Sequence, residues 1–344
     1  MRRKWRVFLS LILIFSIAFV LPVYADDEGT EIASEDQEIL NADHSEEEAT
    51  FESDLQSNTE EVQEDYKVSY TGDFSNVVSG YIVIYPDQLT TSNKKWPVIV
   101  WANGTACPPV LYWNALCALA SKGYIVVASS DTMSANGKSQ VGEVDYILGE
   151  NGKSNSIFYN KVDESRIGAA GHSQGGRSSV NAAKLDDRIK AVVSIAGSNT
   201  SNERSGQNTP TLFLTGTADL VVLSSLWVKP TYNSANGAAA YASLKGGIHT
   251  SVINNYDSIV YYTAKWMDSY LNNNNDSRAI FMEGGQFFTD SAWKDVQSKS
   301  VELVTTASIF GNVNIGIIIG IVFILLLIVI LVVRKKKGRD TGLE

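Results

Sequence analysis

The chain reads as an α/β protein: a mostly parallel sheet with helices on both faces, followed by one apolar helix near the C-terminus. Three observations predict this. Short apolar runs alternate with helix-compatible stretches through the middle of the sequence, the pattern of a parallel sheet covered on both sides. That pattern fills residues 66–305, about 240 residues, enough for one domain with a large core. Within it, Gly171-His172-Ser173-Gln174-Gly175-Gly176 sets a glycine-framed serine between an apolar run and a helical stretch.

In chain order, Arg2, Arg3, Lys4 and Arg6 precede the apolar run Val7–Val23, and Val23-Tyr24-Ala25 supplies small residues for cleavage. Residues 1–25 therefore read as a signal peptide, with an uncleaved anchor as the alternative. Residues 26–65 hold 17 Asp/Glu and no Lys/Arg. So acidic and apolar-poor a segment is expected to be a disordered, solvated spacer. It accounts for the net charge of −10, since residues 67–333 carry 19 acids and 19 bases. A near-neutral domain gives no overall charge signal for a nucleic-acid partner, and none is expected.

Strands are predicted at 80–85, 97–102, 123–129, 166–171, 190–196, 210–215 and 239–244, each a short apolar run. Helices are predicted at 110–121, 138–149, 175–184 and 256–271, where apolar spacing is helical. Asn272–Asn275 mark a loop, and 279–299 reads as a last packed sub-structure. Val313–Val333 is a 21-residue run without a charge, followed at once by Arg334, Lys335, Lys336, Lys337 and Arg339. A helix of that length spans roughly 30 Å, the hydrocarbon thickness of a bilayer. Positive residues stay on the cytoplasmic side. Residues 313–333 are thus expected to be a single transmembrane helix, 334–344 a basic cytoplasmic tail, and the domain extracellular at the cell membrane. A buried core helix is the alternative. Gly316 and Gly320 form a GxxxG pair that could seat a weak homodimer.

The chemistry centres on Ser173. Gly171 and Gly175 leave room for a sharp strand–turn–helix that lifts the serine oxygen above the sheet edge and aims the Gln174 amide at a developing oxyanion. A serine needs a base, normally a histidine held by a carboxylate. Of the three histidines, His44 lies in the acidic spacer and His172 inside the turn, facing poorly for its neighbour's oxygen. That leaves His249, in the loop after the run 238–244. Asp219 follows the predicted strand 210–215 and lies between Ser173 and His249 in chain order, where such a site takes its acid. Asp186, Asp187 and Glu203 are the competing acids; the first two sit at a helix–strand junction and Glu203 in a polar loop. The loop after strand 97–102 holds Asn103-Gly104-Thr105-Ala106-Cys107. The Thr105 N–H is the candidate second oxyanion donor, with those of Gly104 and Ala106 as alternatives.

The Asn-Gly-Thr loop, the stretches 162–176 and 211–222, and Gly246–Ser251 together resemble the α/β-hydrolases of the dienelactone hydrolase-like branch, in particular cutinases, polyester hydrolases and chlorophyllase-like enzymes. The resemblance covers roughly residues 66 to 300. It implies an α/β-hydrolase fold and a serine esterase acting on carboxylic esters. Ser173 would be nucleophile, His249 base and Asp219 its orienter, with Thr105 and Gln174 as oxyanion donors and no cofactor or metal. Two rivals stand beside it: an acyltransferase acting on envelope polymers or lipids, and a non-catalytic surface binding protein on a hydrolase scaffold.

Cys107 and Cys117, one in the oxyanion loop and one in the next helix, are either joined as a disulfide in an oxidising compartment or left as buried thiols. Trp101, Tyr112, Trp113 and Trp227 are core residues or pocket walls by type.

Overall fold

The computed structural model describes residues 65–72, 80–254 and 256–305. The proposed signal peptide, nearly all of the acidic spacer, the apolar run 313–333 with Gly316 and Gly320, and the basic tail lie outside them. Among the described residues no helix is long and apolar enough to cross a membrane.

Nine strands form one sheet: β1 Val68–Thr71, β2 Tyr81–Pro86, β3 Trp96–Ala102, β4 Ile125–Ser129, β5 Val162–His172, β6 Ile189–Ile195, β7 Thr211–Gly216, β8 Ala239–Leu244 and β9 Trp293–Lys299. Their spatial order is β1-β2-β4-β3-β5-β6-β7-β8-β9. The six from β4 to β8 in that order run parallel, while β1, β2 and β9 join through antiparallel pairs at the edges. Three of the strands depart from prediction. No strand is predicted over β1, and β9 falls within the last packed sub-structure predicted at 279–299. Their partly polar sequences suit edge strands, which have one neighbour and a wetted flank, so neither shows a clear apolar run. β5 starts four residues earlier than predicted, in the polar run Val162–Ser165.

Helices cover both faces. α1 Trp113–Ser121 and, later in the chain, Asp257–Leu271 pack on one side, with Leu116, Leu119, Tyr262, Trp266 and Met267 in a core shared with Ile99 and Trp101 of β3. α2 Lys138–Gly152, α3 Gln174–Leu185 and α4 Val228–Ser234 pack on the other, with Val144, Ile147, Val180 and Tyr232 beside Val98 and Val100 of the same strand. Alternate residues of β3 thus feed opposite cores, and all seven are buried. This is why the parallel strands read as unbroken apolar runs. α5 Ser251–Asn254 precedes the long helix α6 Asp257–Leu271, and α7 Asn275–Ala279 and α8 Gln286–Thr289 lead into β9.

The parallel strands all end at one pole, where the loops after β3, β5, β7 and β8 gather. The described chain enters and leaves at the other. Val68 pairs with Pro86, and Lys299 with Ala239, the first residue of β8. Val304 exchanges hydrogen bonds with the Asn275 side chain, which lies beyond the C-terminus of α6.

Candidate active site

The turn from β5 into α3 is a steric construction. Ser173 has φ 58° and ψ −120°, a backbone state that costs on the order of 1–3 kcal/mol for a residue with a side chain. A Cβ on Gly171 would lie 2.5 Å from the Gly175 carbonyl oxygen, and one on Gly175 would lie 2.0 Å from that of Ala102. Only glycine fits at either position, and the serine N–H is pinned to the Ile195 carbonyl at 2.8 Å. The strained turn leaves Ser173 partly exposed at the sheet edge.

His249 reaches it from the loop after β8. Its Nε2 lies 3.0 Å from Ser173 Oγ, and its Nδ1 lies 2.8 Å from Asp219 Oδ2. Asp219 is buried in the loop after β7, and its other oxygen accepts from the Val221 and Val222 amides at 2.9 and 2.8 Å. Burial pushes this carboxyl upward, but the His249 bond and charge and the two amides outweigh it and hold Asp219 below its ordinary range. It therefore stays ionised and accepts from His249 Nδ1–H, which fixes the imidazole tautomer. The competing acids are engaged elsewhere: Asp186 pairs with Arg188, Glu203 with Arg177, and Asp187 sits in the turn between α3 and β6. A small hollow beside Asp219 and His249 is lined by Leu214, Leu244, Val252 and Ile259 together with Thr215 and Ser251.

The loop after β3 settles which of its amides is free. Gly104 N–H donates to the Tyr112 hydroxyl, Ala106 N–H to the Thr132 carbonyl and Cys107 N–H to the Gly104 carbonyl. Among the described residues no acceptor takes the Thr105 N–H or the Gln174 N–H at the start of α3. Two free amides on loops that converge on Ser173 are what an oxyanion requires.

Sequence reasoning missed two parts of the site. His172 is buried and turns away from the nucleophile; its Nδ1 lies 2.9 Å from the Tyr112 hydroxyl and its Nε2 2.7 Å from the His249 carbonyl. Tyr112 is fully buried, so it is a hydrogen-bonding partner rather than a pocket wall, and Trp101 is core. The pairing of Tyr112 with a residue 60 positions away has no local signal. The second part is an apolar rim. Leu220 is 86% exposed beside Asp219, and Val221, Ile248 next to His249, and Met133 are also exposed.

The disulfide alternative is corrected. Cys107 and Cys117 are free thiols, each partly buried. Burial raises both thiols. Both also pack against the apolar core on the α1 side of the sheet.

A PET hydrolase-like family model matches residues 56–295. The chain belongs to that family. It is a carboxylic ester hydrolase of the serine esterase kind. Among its curated relatives are a bis(hydroxyethyl) terephthalate hydrolase of Streptomyces coelicolor, 25% identical over 227 residues, 63% of this chain and 71% of that one. Cutinase est2 of Thermobifida alba is 25% identical over 160 residues, 44% of this chain and 52% of the relative. Cutinase 2 of Thermobifida cellulosilytica is 23% identical over 162 residues, 45% and 61% of the two chains. The chain thus spans about half to three-fifths of these two cutinases. The mixed sheet with helices on both faces is the architecture expected of this family of α/β-hydrolases.

Proposed function

We propose that this PET hydrolase-like esterase is an extracellular enzyme held at the cell membrane by residues 313–333, and that Ser173, His249 and Asp219 carry its chemistry. The observation that carries the catalytic reading is the unbroken hydrogen-bonded line from Ser173 Oγ through the His249 ring to Asp219. Ser173 Oγ attacks the ester carbonyl carbon while its proton passes to His249 Nε2. The Thr105 and Gln174 amides receive the oxyanion. His249 returns the proton to the leaving alcohol, and the acyl group stays on Ser173. Water, deprotonated by His249, then frees the acid.

The substrate class is esters of apolar aryl or alkyl acids presented at an accessible surface. The exposed rim of Leu220, Val221, Ile248 and Met133 supports this, as do relatives named for a terephthalate ester and for cutin. The anchor reading rests on the uncharged run and the basic residues after it.

The test uses the full chain in detergent with p-nitrophenyl butyrate and a fluorophosphonate probe. Wild type hydrolyses the ester and takes the label, and Ser173→Ala does neither; labelling that survives Ser173→Ala overturns the assignment. Membrane fractionation of cells expressing the full chain and a chain ending at 305 checks the anchor, which fails if both distribute alike.

A further inference from the structure

The two side chains that flank the nucleophile in sequence reach the oxyanion loop by separate routes. His172 Nδ1 accepts from the Tyr112 hydroxyl at 2.9 Å, and the same hydroxyl accepts from the Gly104 amide at 3.1 Å. Gln174 Nε2 donates to the Thr132 carbonyl at 2.7 Å, and the same carbonyl accepts from the Ala106 amide at 3.2 Å. Gly104 and Ala106 are the residues on either side of Thr105. Each route is thus one side chain of the elbow, one bridging group, and one amide next to the free amide.

The turn held this way is not the loop's own preference. Cys107 N–H closes it onto the Gly104 carbonyl at 3.1 Å, and Ala106 lies at φ 56°. A left-handed residue with a side chain persists only where its surroundings over-determine it. Gly104 belongs to the same construction, since a Cβ there would lie 2.8 Å from the Tyr112 hydroxyl and 3.2 Å from His172 Nδ1. The first route also continues past the elbow. With Tyr112 donating to Nδ1, the His172 proton sits on Nε2 and bonds the His249 carbonyl at 2.7 Å. One imidazole therefore ties the oxyanion loop to the backbone of the base.

We propose that Gln174, and His172 acting with Tyr112, are positioning residues that clamp the Thr105 amide from both sides and aim it at the tetrahedral oxyanion. The clamp rests on the reading of Ser173 as nucleophile and Thr105 N–H as oxyanion donor. Its value lies in preorganisation: a donor held in place before reaction stabilises the developing charge without reorganising. Neither side chain needs to touch substrate for this.

Gln174→Met and Tyr112→Phe each remove one hydrogen-bonding group with little change of shape. In the full chain with p-nitrophenyl butyrate, each is expected to lower kcat about tenfold, ~1.4 kcal/mol, with KM within about twofold. Affinity for a trifluoromethyl ketone, which forms a tetrahedral oxyanion on the serine, should fall by the same factor as kcat/KM. Because both variants release one turn, the double variant should lose clearly less than the product of the single losses. A merely structural role would lower the amount of folded enzyme without this parallel. Unchanged kcat in both variants, a loss confined to KM, or ketone affinity that does not follow kcat/KM overturns the clamp. If buried Tyr112→Phe does not fold, the partly exposed Gln174→Met decides alone by the same measures. Ser173→Ala is run beside them: full activity there overturns the site reading and the clamp with it. An inactive Ser173→Ala with unaffected clamp variants overturns only the clamp.

Discussion

His172 Nε2 lies 2.7 Å from the His249 carbonyl oxygen, and the two rings stand 4.7 Å apart. His172 is buried and both its ring nitrogens are bonded, to the Tyr112 hydroxyl and the His249 carbonyl, so it is not placed to serve Ser173 as a base. Burial first, and then the neighbouring His249, hold His172 down to about 3 from 6.5. Its folded pKa lies below the unfolded value, so between pH 6.5 and about 3 the unfolded chain binds the extra proton. The contribution of neutral His172 to stability is complete above pH 6.5 and is lost as pH falls toward 3. In ¹H–¹⁵N spectra the His172 ring should remain a neutral Nε2–H tautomer at pH 5. A ring that titrates near pH 6.5 would contradict this.

Asp219→Asn should separate chemistry from folding. The Asn side-chain oxygen can still accept from the Val221 and Val222 amides, but His249 Nδ1 then faces an amide and its favoured tautomer is lost. We expect kcat to drop about 10³–10⁴-fold, with the melting temperature within a few degrees of wild type. A loss below tenfold would move the acid's role elsewhere.

Glu143 of α2 is buried under the β4 end of the sheet, with one oxygen accepting from the Ser129 amide at 2.9 Å and the other without a partner among the described residues. Burial raises it well above 4.5, and Asp131 adds to the rise although the Ser129 amide opposes it. An unfolded glutamate ionises above about 4.5, so in the window above that value the folded state holds the extra proton, and stability falls as pH rises toward the folded pKa. Glu143→Gln removes the titration. The variant should gain melting temperature over wild type at pH 8 and little at pH 5. An equal gain at both values would remove the protonation explanation.

The free thiols of Cys107 and Cys117 predict indifference to reductant. A closed bridge typically contributes about 2–4 kcal/mol, several degrees in melting temperature for a domain of this size. Dithiothreitol should leave both melting temperature and esterase rate unchanged, as measured by differential scanning fluorimetry and p-nitrophenyl ester hydrolysis. A drop of several degrees would show that the two sulfurs are joined.

Much of the sheet was legible because parallel strands buried on both faces spell continuous apolar runs, as Trp96–Ala102 and Thr211–Gly216 do. The edges were not. Trp293–Lys299 carries polar residues at most positions and becomes a strand because β8 offers it an unpaired flank. The short helix Val228–Ser234 has no helical signal in the sequence because Pro230 lies inside it; its buried residues Val228, Thr231 and Tyr232 dock it on β7 and β8.

By itself the sequence determined what is short-ranged: two glycines that let Ser173 take a left-handed turn, and an order of serine, acid and histidine along the chain. Those are matters of local sterics and of strand order, and both can be read from neighbouring residues. Only the tertiary structure decided which groups meet. Ser173 and His249 are 76 positions apart, and Tyr112 and His172 60. The Tyr112 hydroxyl and the Thr132 carbonyl take the amides of Gly104 and Ala106, while among the described residues none takes that of Thr105 between them. Such bonds depend on where each parallel strand ends relative to its neighbours, a three-dimensional register that no short stretch of sequence contains.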